Sequence, residues 1–302
     1  MRRTVSVRNS SLLPLVLVLC AVAPLAAQSP PAGQPPLMGQ RFQKTVPHIE
    51  SGPWKGPRLS DGQPDIQGDW SNTIANHNNF TDPQGVIPGD PQARRHPPGP
   101  REERAPSRVS DPSDGQVPFL PWARKVQEQL LANSFNPVEP EFVEPLARCA
   151  PAGVPKSFYW HGYEVRQFPG YILFLFNSGS RIIQLSDSPH LPKDIKLWNG
   201  DSRGHWEGNA LVADVTSFSG TTWLDAAGDY HSDELHVTER YTRSSPDTLT
   251  YEATIEDPMV FTRPWKIRMP LRLQKGVQIL EDECEEGENG RRHHIPLFRQ
   301  TP

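Results

Sequence analysis

From Ser157 onward, apolar residues recur in short runs, often at every second position, with turn residues between the runs. A period of two is typical of strands that bury one face. The segment Tyr171–Phe176 is continuously apolar, which indicates a strand buried in a core. The other predicted strands lie at 158–166, 181–185, 204–207, 209–218, 234–242, 248–256, 261–273 and 278–283.

The spacing of these runs predicts an all-β domain whose strands form an antiparallel meander. No long helical pattern interrupts the series, so a parallel α/β sheet is not expected. A meander of about eight strands usually closes into a barrel, and a β-sandwich is the alternative. Gly208-Asn209 lies between two of the runs and is a strong signal for a tight hairpin.

The N-terminal half has a different composition, because most of the 34 prolines lie there. Residues 28–118 are Pro-rich and weakly apolar, which predicts an extended, partly disordered segment with a short strand near 64–74. Trp122, Val126, Leu130 and Leu131 recur at helical spacing and predict a short helix that begins at Pro121. We therefore expect a barrel domain at 119–290 and a tail at 291–302.

The first 27 residues have the pattern of a secretory signal peptide. Arg2, Arg3 and Arg8 precede an apolar run from Leu12 to Leu25, and small residues follow it. We expect cleavage after this segment and a periplasmic or secreted mature protein without stable membrane insertion. A membrane anchor and a lipoprotein modified at Cys20 are the alternatives.

The cysteine count supports export. Cys20 lies in the signal segment, so Cys149 and Cys284 remain in the mature chain. Two cysteines in an oxidising compartment predict one disulfide, which would join the start of the barrel domain to its end. The alternative is a pair of unpaired, buried thiols.

The sequence contains a set of short motifs, which are GxPDIxGxW at 62–70, RIIxL at 181–185, PHLP at 189–192, WxGDSRGHWEG at 198–208, LVxD at 211–214, LHVxER at 235–240, DP at 257–258, TRPW at 262–265 and CEEG at 284–287. Together they resemble a large family of exported, mostly uncharacterised proteins of environmental bacteria. The resemblance covers roughly residues 58–80 and 118–290, and it implies export and a lipocalin-like barrel, without an assigned chemistry. His205 stands where such sequences often have Arg, and Glu285 follows Cys284 where His is common.

Charged residues inside the strand patterns indicate a polar group within the barrel. On the predicted strand 234–242, Glu239 and Arg240 point to opposite faces, so one of them should point inward. A buried charge needs a partner, and Arg181 and Asp214 are the candidates. Such a group is either a structural ion pair between strands or the polar floor of a ligand pocket.

Histidines near predicted turns are the candidates for acid–base chemistry, because imidazole titrates near neutral pH. The candidate catalytic residues are His231, His205, Glu234, Asp225 and Asp214. Arg203, like Arg181, could stabilise developing negative charge. His190, His205 and His231 are plausible zinc-ligand types, but their spacing forms no cluster that we recognise, so a metal is not expected. The sequence has no P-loop and no GxGxxG motif before a helix, so an organic cofactor is not expected either.

Tryptophans at the ends of the predicted strands could form the wall of a small-molecule pocket. Trp198, Trp206 and Trp223 flank loops, and aromatic side chains with a few polar groups are usual in such pockets. The alternative is that they pack in the core. The candidate ligand-binding residues are therefore Arg181, Arg203, Trp198, Trp206, Trp223, Glu239 and Arg240.

These features favour an exported enzyme of the lyase, isomerase, cyclase or hydrolase type that acts on an apolar or aromatic metabolite. The alternatives are a lipocalin-like protein that only binds a hydrophobic ligand, and a surface interaction protein. The formal net charge is −4. No basic stripe accompanies an aromatic platform, so nucleic-acid binding has no support.

Overall fold

A computed structural model of the protein describes residues 56–72, 79–87, 98–135, 137–159, 162–176, 179–277 and 279. They belong to the unit Gln40–Pro302. The predicted signal peptide, the tail, Cys284 and the last predicted strand apart from residue 279 lie outside the described residues. Among the helices that the structure describes, none is long and apolar enough to cross a membrane.

The strands lie close to the positions that the period-two pattern predicts. On one of them Val237, Glu239 and Tyr241 are buried, whereas Thr238 and Arg240 are partly exposed, so alternate side chains point inward. The strands are β1 (Gly68–Ser71), β2 (Val109–Asp111), β3 (Gly162–Phe168), β4 (Tyr171–Phe176), β5 (Gly179–Leu185), β6 (Asp201–Glu207), β7 (Ala210–Thr216), β8 (His236–Ser245), β9 (Thr248–Glu256) and β10 (Trp265–Leu273).

Nine of the strands in the described part of the chain form a closed barrel, which confirms the all-β barrel expected from the sequence. The order is β1-β3-β4-β5-β6-β7-β8-β9-β10, and β10 pairs back with β1. β2 pairs with β10 beside this ring. The β6–β7 hairpin is the tight turn predicted at Gly208-Asn209, and Gly208 has a φ of 60° at the position where a type II′ turn needs a positive value.

One pairing in the ring departs from a simple meander. β5 and β6 run parallel, whereas the other neighbours in the ring are antiparallel. A closed ring with an odd number of strands cannot alternate direction throughout, so it needs a parallel pair. The connection 186–200 lets the chain cross from the end of β5 to the start of β6, and it carries several candidate site residues.

The predicted strand 158–166 begins later than expected. Lys156–Tyr159 forms a helical turn, α2, and the strand starts only at Gly162. The side chain of Phe158 is fully buried, and its ring contacts Tyr163, Phe174 and Tyr241 of the barrel wall. Packing inside the barrel therefore overrides the local strand preference of this segment.

A second helix, α1 (Pro121–Asn133), begins at the residue that the sequence indicates. Its buried face carries Ala123, Gln127 and Leu130, whereas Trp122 is 52% exposed. Gln127 Nε2 donates to the carbonyl of Ala227 at 2.7 Å, which fixes α1 against the β7–β8 connection, residues 217–235.

The described part of the Pro-rich segment is irregular but packed. Ile87, Ala105 and Val117 are buried, and the ring of Phe80 meets Trp265 of β10 edge-on at 6.0 Å. The backbone N–H of Phe80 donates to Asp225 in the β7–β8 connection. This connection therefore links the Pro-rich segment to the barrel.

Candidate functional site

The interior of the barrel contains an ion pair between β5 and β8. Arg181 and Glu239 are 4% and 0% exposed, and their side chains form a bidentate pair. Glu239 is thus the inward charge on its strand, and Arg181 is its partner. Asp214, the other candidate partner, lies on the outer side of the barrel.

Hydroxyl groups complete this interior network. Ser202 accepts from Nε and a terminal nitrogen of Arg181, and Tyr241 and Tyr251 both donate to Glu239 Oε1, at 3.0 and 2.7 Å. All the N–H groups of the guanidinium therefore face oxygen atoms. Burial, reinforced by the charge of Glu239, raises the pKa of both tyrosines well above 10.0.

Polar side chains form a second group on the outer surface, at the end of the barrel where β6 and β8 begin and β7 ends. We call it the rim group. The two ring nitrogens of His190 lie 2.9 Å from Asp201 Oδ2 and 2.7 Å from Asp214 Oδ2. His236 likewise lies 2.5 Å from Asp214 Oδ1 and 3.0 Å from Glu256 Oε2. The rim group comprises His190, Asp201, Arg203, Asp214, His236 and Glu256.

Imidazoles and carboxylates alternate along the rim group. Asp214 joins the two histidines, and its side chain is 42% exposed. Burial acts to raise the pKa of Asp214, but the hydrogen bonds from His236 and His190 outweigh this effect and hold the pKa below its usual value. Both nitrogens of each histidine face a carboxylate, and an imidazolium ion fits this arrangement because it donates from both.

Arg203 and Asp201 hold one end of the rim group in place. Arg203 contacts Asp201 Oδ1 at 2.5 Å, and the backbone N–H of Leu191 donates to Asp201 Oδ2. Burial acts to raise the pKa of Asp201, but hydrogen bonds from Leu191, His190 and Arg203 lower it overall. Asp201 therefore remains ionised and fixes the orientation of His190.

Apolar side chains are exposed on the same connection that carries His190. Ile195, Leu197 and Trp198 are 42%, 38% and 42% exposed. The backbone N–H of Leu197 donates to the carbonyl of Ser217 just beyond β7, and Lys196 donates to the carbonyl of Asp233 before β8. The connection thus runs across the strand ends that carry the rim group.

The β7–β8 connection places His231 and Asp225 in the protein interior. His231 Nδ1 donates to the carbonyl of Ser232 at 2.7 Å, and Nε2 accepts from the hydroxyl of Thr222 at 2.7 Å. His231 is 2% exposed. Burial lowers its pKa, so the ring is neutral.

Asp225 is fully buried, like the neighbouring Asp229. Its carboxylate accepts from the backbone N–H groups of Phe80, Ala227 and Asp229, and it is hydrogen-bonded to the carboxyl of Asp229. Burial, and next the charge of Asp225, raises the pKa of Asp229 well above 3.8. The two carboxyl groups therefore share a proton.

The structure does not bring the other candidate residues into one site. His205 is exposed beside Glu207, which also pairs with Arg240, and Glu234 is exposed. Trp223 is buried. Trp206 donates to Gln63 Oε1 at the opposite end of the barrel. Arg181, Asp214 and His231 belong to three separate groups.

Sequence reasoning did not identify His236, Asp201 or Glu256 as site residues, and it considered His190 only as a metal ligand. His236 and Glu256 are opposite one another in the β8–β9 ladder, and Asp214 lies opposite the neighbouring Thr238. The clustering follows from this strand register. The one available signal was that alternation places His236 on the same face of β8 as Arg240, opposite to Glu239.

The described residues contain no group of three or more His, Cys, Asp or Glu side chains placed to hold a metal ion. Comparisons with protein-family models, with curated proteins and with solved structures found no match. The resemblance based on sequence motifs therefore stays a prediction.

Proposed function

We propose that the protein is an exported enzyme that transfers protons on a small apolar or aromatic molecule at the rim group. His190 and His236 are the proton-transfer residues in this proposal, and Asp214 between them holds and orients both rings. The supporting observation is the alternation of two imidazoles with carboxylates on a surface that a substrate can reach.

Accessibility favours the rim group over the interior ion pair. The side chains of His190 and His236 are 24% and 38% exposed, whereas Arg181 and Glu239 are enclosed and hydrogen-bonded to one another. Both nitrogens of each ring are paired with carboxylates, so a substrate must take the place of one carboxylate at the nitrogen that exchanges the proton. The other carboxylate keeps the ring oriented during this exchange.

The exposed apolar side chains beside the rim group indicate the class of substrate. Ile195, Leu197 and Trp198 offer a surface on which a flat or apolar molecule can pack, and exposed aromatic residues commonly serve this role. Arg203 is held by Asp201 close to His190 and could neutralise negative charge that develops on the substrate.

Substituting Asp214 tests the proposal. A panel of aromatic ketones, esters and hydroxy compounds is followed by NMR in D2O for deuterium incorporation, isomerisation, elimination or hydrolysis. Asp214→Asn should lower the observed rate about 10²- to 10⁴-fold, because both proton-transfer histidines lose the carboxylate that orients them and acid–base groups usually contribute this much. Asp111→Asn, which makes the same change at an exposed ion pair with Arg263, is the control and should retain the rate.

A non-catalytic binding protein is the rival, because the same exposed apolar surface could hold a ligand without turnover. A change in intrinsic fluorescence on ligand addition that Trp198→Phe abolishes would report such binding. Ligands that bind without any turnover, with an affinity that Asp214→Asn leaves unchanged, would replace the enzyme proposal with the binding proposal.

A further inference from the structure

The ring of Phe158 occupies the barrel interior as a bound aromatic molecule would. It meets Tyr163, Phe174, Phe176 and Tyr241 edge-on, with centroid distances of 5.1 to 5.4 Å. Such edge-to-face geometry is the preferred packing of aromatic rings. The ring belongs to the short turn α2 and not to a strand, so it enters the barrel as a separate element.

A hydroxyl group next to this ring lacks a hydrogen-bond partner in the described part of the chain. Tyr163 is fully buried, and its hydroxyl has no hydrogen-bond partner among the residues that the structure describes. A buried hydroxyl without a partner is destabilising, because its desolvation is not offset by a hydrogen bond. Burial, and next the charge of Glu239, raises the pKa of Tyr163 well above 10.0, so the hydroxyl keeps its proton and can donate.

Glu239 provides an acceptor in the same interior. Its Oε1 accepts from Arg181, Tyr241 and Tyr251, whereas Oε2 accepts from Arg181 alone in the described part of the chain. A carboxylate oxygen can accept more than one hydrogen bond. Beside the Phe158 ring, the described residues thus offer an unpaired donor, an acceptor with spare capacity and a position shaped for an aromatic ring.

We propose that the barrel interior is a binding site for a small phenol-type molecule, and that the Phe158 ring fills this site until such a ligand displaces it. The hydroxyl of the ligand would donate to Glu239 and accept from Tyr163. The ring of the ligand would take the place of Phe158 between Phe174 and Tyr241. This site is separate from the rim group and does not depend on its proposed chemistry.

Phenol and toluene are the probes, because they have similar ring sizes and differ in the hydroxyl group. Isothermal titration calorimetry measures their binding to the wild-type protein, to Phe158→Ala and to Phe158→Ala/Tyr163→Phe. Phe158→Ala should bind phenol at least ten-fold more tightly than the wild-type protein does, because the competing ring is gone. A buried space lined by apolar side chains can take up an aromatic ring in this way.

The polar contacts predict a selectivity that shape alone would not give. Phe158→Ala should prefer phenol to toluene about ten-fold, and the added Tyr163→Phe change should remove most of this preference. Asp214→Asn should leave phenol binding unchanged, which separates this site from the proposed enzyme site.

Three results would overturn the proposal. Folded Phe158→Ala protein that binds neither probe would exclude the ring site, and an unchanged phenol preference in the double variant would exclude Tyr163. Wild-type protein that binds no phenol, even at concentrations that saturate Phe158→Ala, would exclude displacement of Phe158. If Phe158→Ala does not fold, Phe158→Leu takes its place with the same expected order of affinities.

Discussion

Arg181 and Glu239 show how one charged pair can fit inside a barrel whose interior is mainly apolar and aromatic. Removing two charges from water carries a large free-energy penalty, and good geometry with further hydrogen bonds must offset it. Ser202, Tyr241 and Tyr251 provide those hydrogen bonds. At the rim, by contrast, His190 and His236 keep contact with solvent. In the proposed function they are therefore available for proton transfer, which the enclosed Arg181 and Glu239 are not.

Glu239→Gln should destabilise the protein by about 3–5 kcal/mol, because Arg181 would remain buried without a counter-charge. Urea denaturation followed by fluorescence measures the loss. Glu207→Gln removes the partner of the exposed Arg240 and should change the free energy of unfolding by less than about 1 kcal/mol. Equal effects of the two changes would contradict the assignment of the interior pair.

Asp229→Asn should make stability less dependent on pH. The folded-state pKa of Asp229 is raised, so the folded protein holds a proton that the unfolded chain releases above about pH 4. The contribution of Asp229 to the free energy of unfolding is fully present below that pH. It is lost as the pH rises through the folded-state pKa. Asparagine can donate to Asp225 at any pH. The free energy of unfolding of the variant should therefore rise relative to that of wild type at alkaline pH.

Denaturation at pH 5 and pH 8 measures this difference. Asp225→Asn is the matched control, since it removes the carboxylate that accepts from Phe80, Ala227 and Asp229. That variant should be less stable than wild type at both pH values. Parallel pH profiles for wild type and Asp229→Asn would show that the two carboxyls do not share a proton.

At the scale of elements, the strands follow from local sequence, but their partners do not. Alternation in 236–245 predicts a strand and shows that Glu239 and Arg240 face opposite ways. It does not show that β5 crosses to run parallel with β6, because that pairing depends on residues far apart in the chain. The rim group could not be predicted from local sequence either, because its members come together only when β7, β8 and β9 pair. Phe158 has a strand-like sequence and becomes helical because the barrel interior accepts its ring.

Gly204 makes the parallel pairing of β5 and β6 possible. A Cβ atom there would lie 2.5 Å from Ile183 Cγ2 and 3.3 Å from the carbonyl oxygen of Val212. Gly204→Ala should therefore destabilise the protein by about 1–3 kcal/mol, as overpacking usually does. Thermal unfolding measures the loss, and Gly204→Ala/Ile183→Leu, which removes the Cγ2 methyl and keeps the side-chain volume, should recover part of it. No recovery in the double variant would mean that the contact with Ile183 is not the cause.

At the scale of the whole molecule, the barrel wall comes mainly from residues after 160, yet one strand comes from the N-terminal half. β1 pairs with both β3 and β10 and thereby closes the ring. Phe80 and α1 then pack onto the β7–β8 connection at the rim end. The described residues of the N-terminal half, 56–72, 79–87 and 98–135, are therefore part of the folded unit, although the composition of this half predicts little order.

The proposed disulfide between Cys149 and Cys284 would join residues before β3 to residues after β10. Cys284 lies outside the described residues, so the bond stays a prediction. Closing so long a loop would stabilise the fold by about 2–5 kcal/mol. Exported protein, denatured without reductant, should show no reactive thiol, and Cys149→Ser should expose one. Two reactive thiols in the unreduced wild-type protein would exclude the bond and weaken the case for an oxidising compartment.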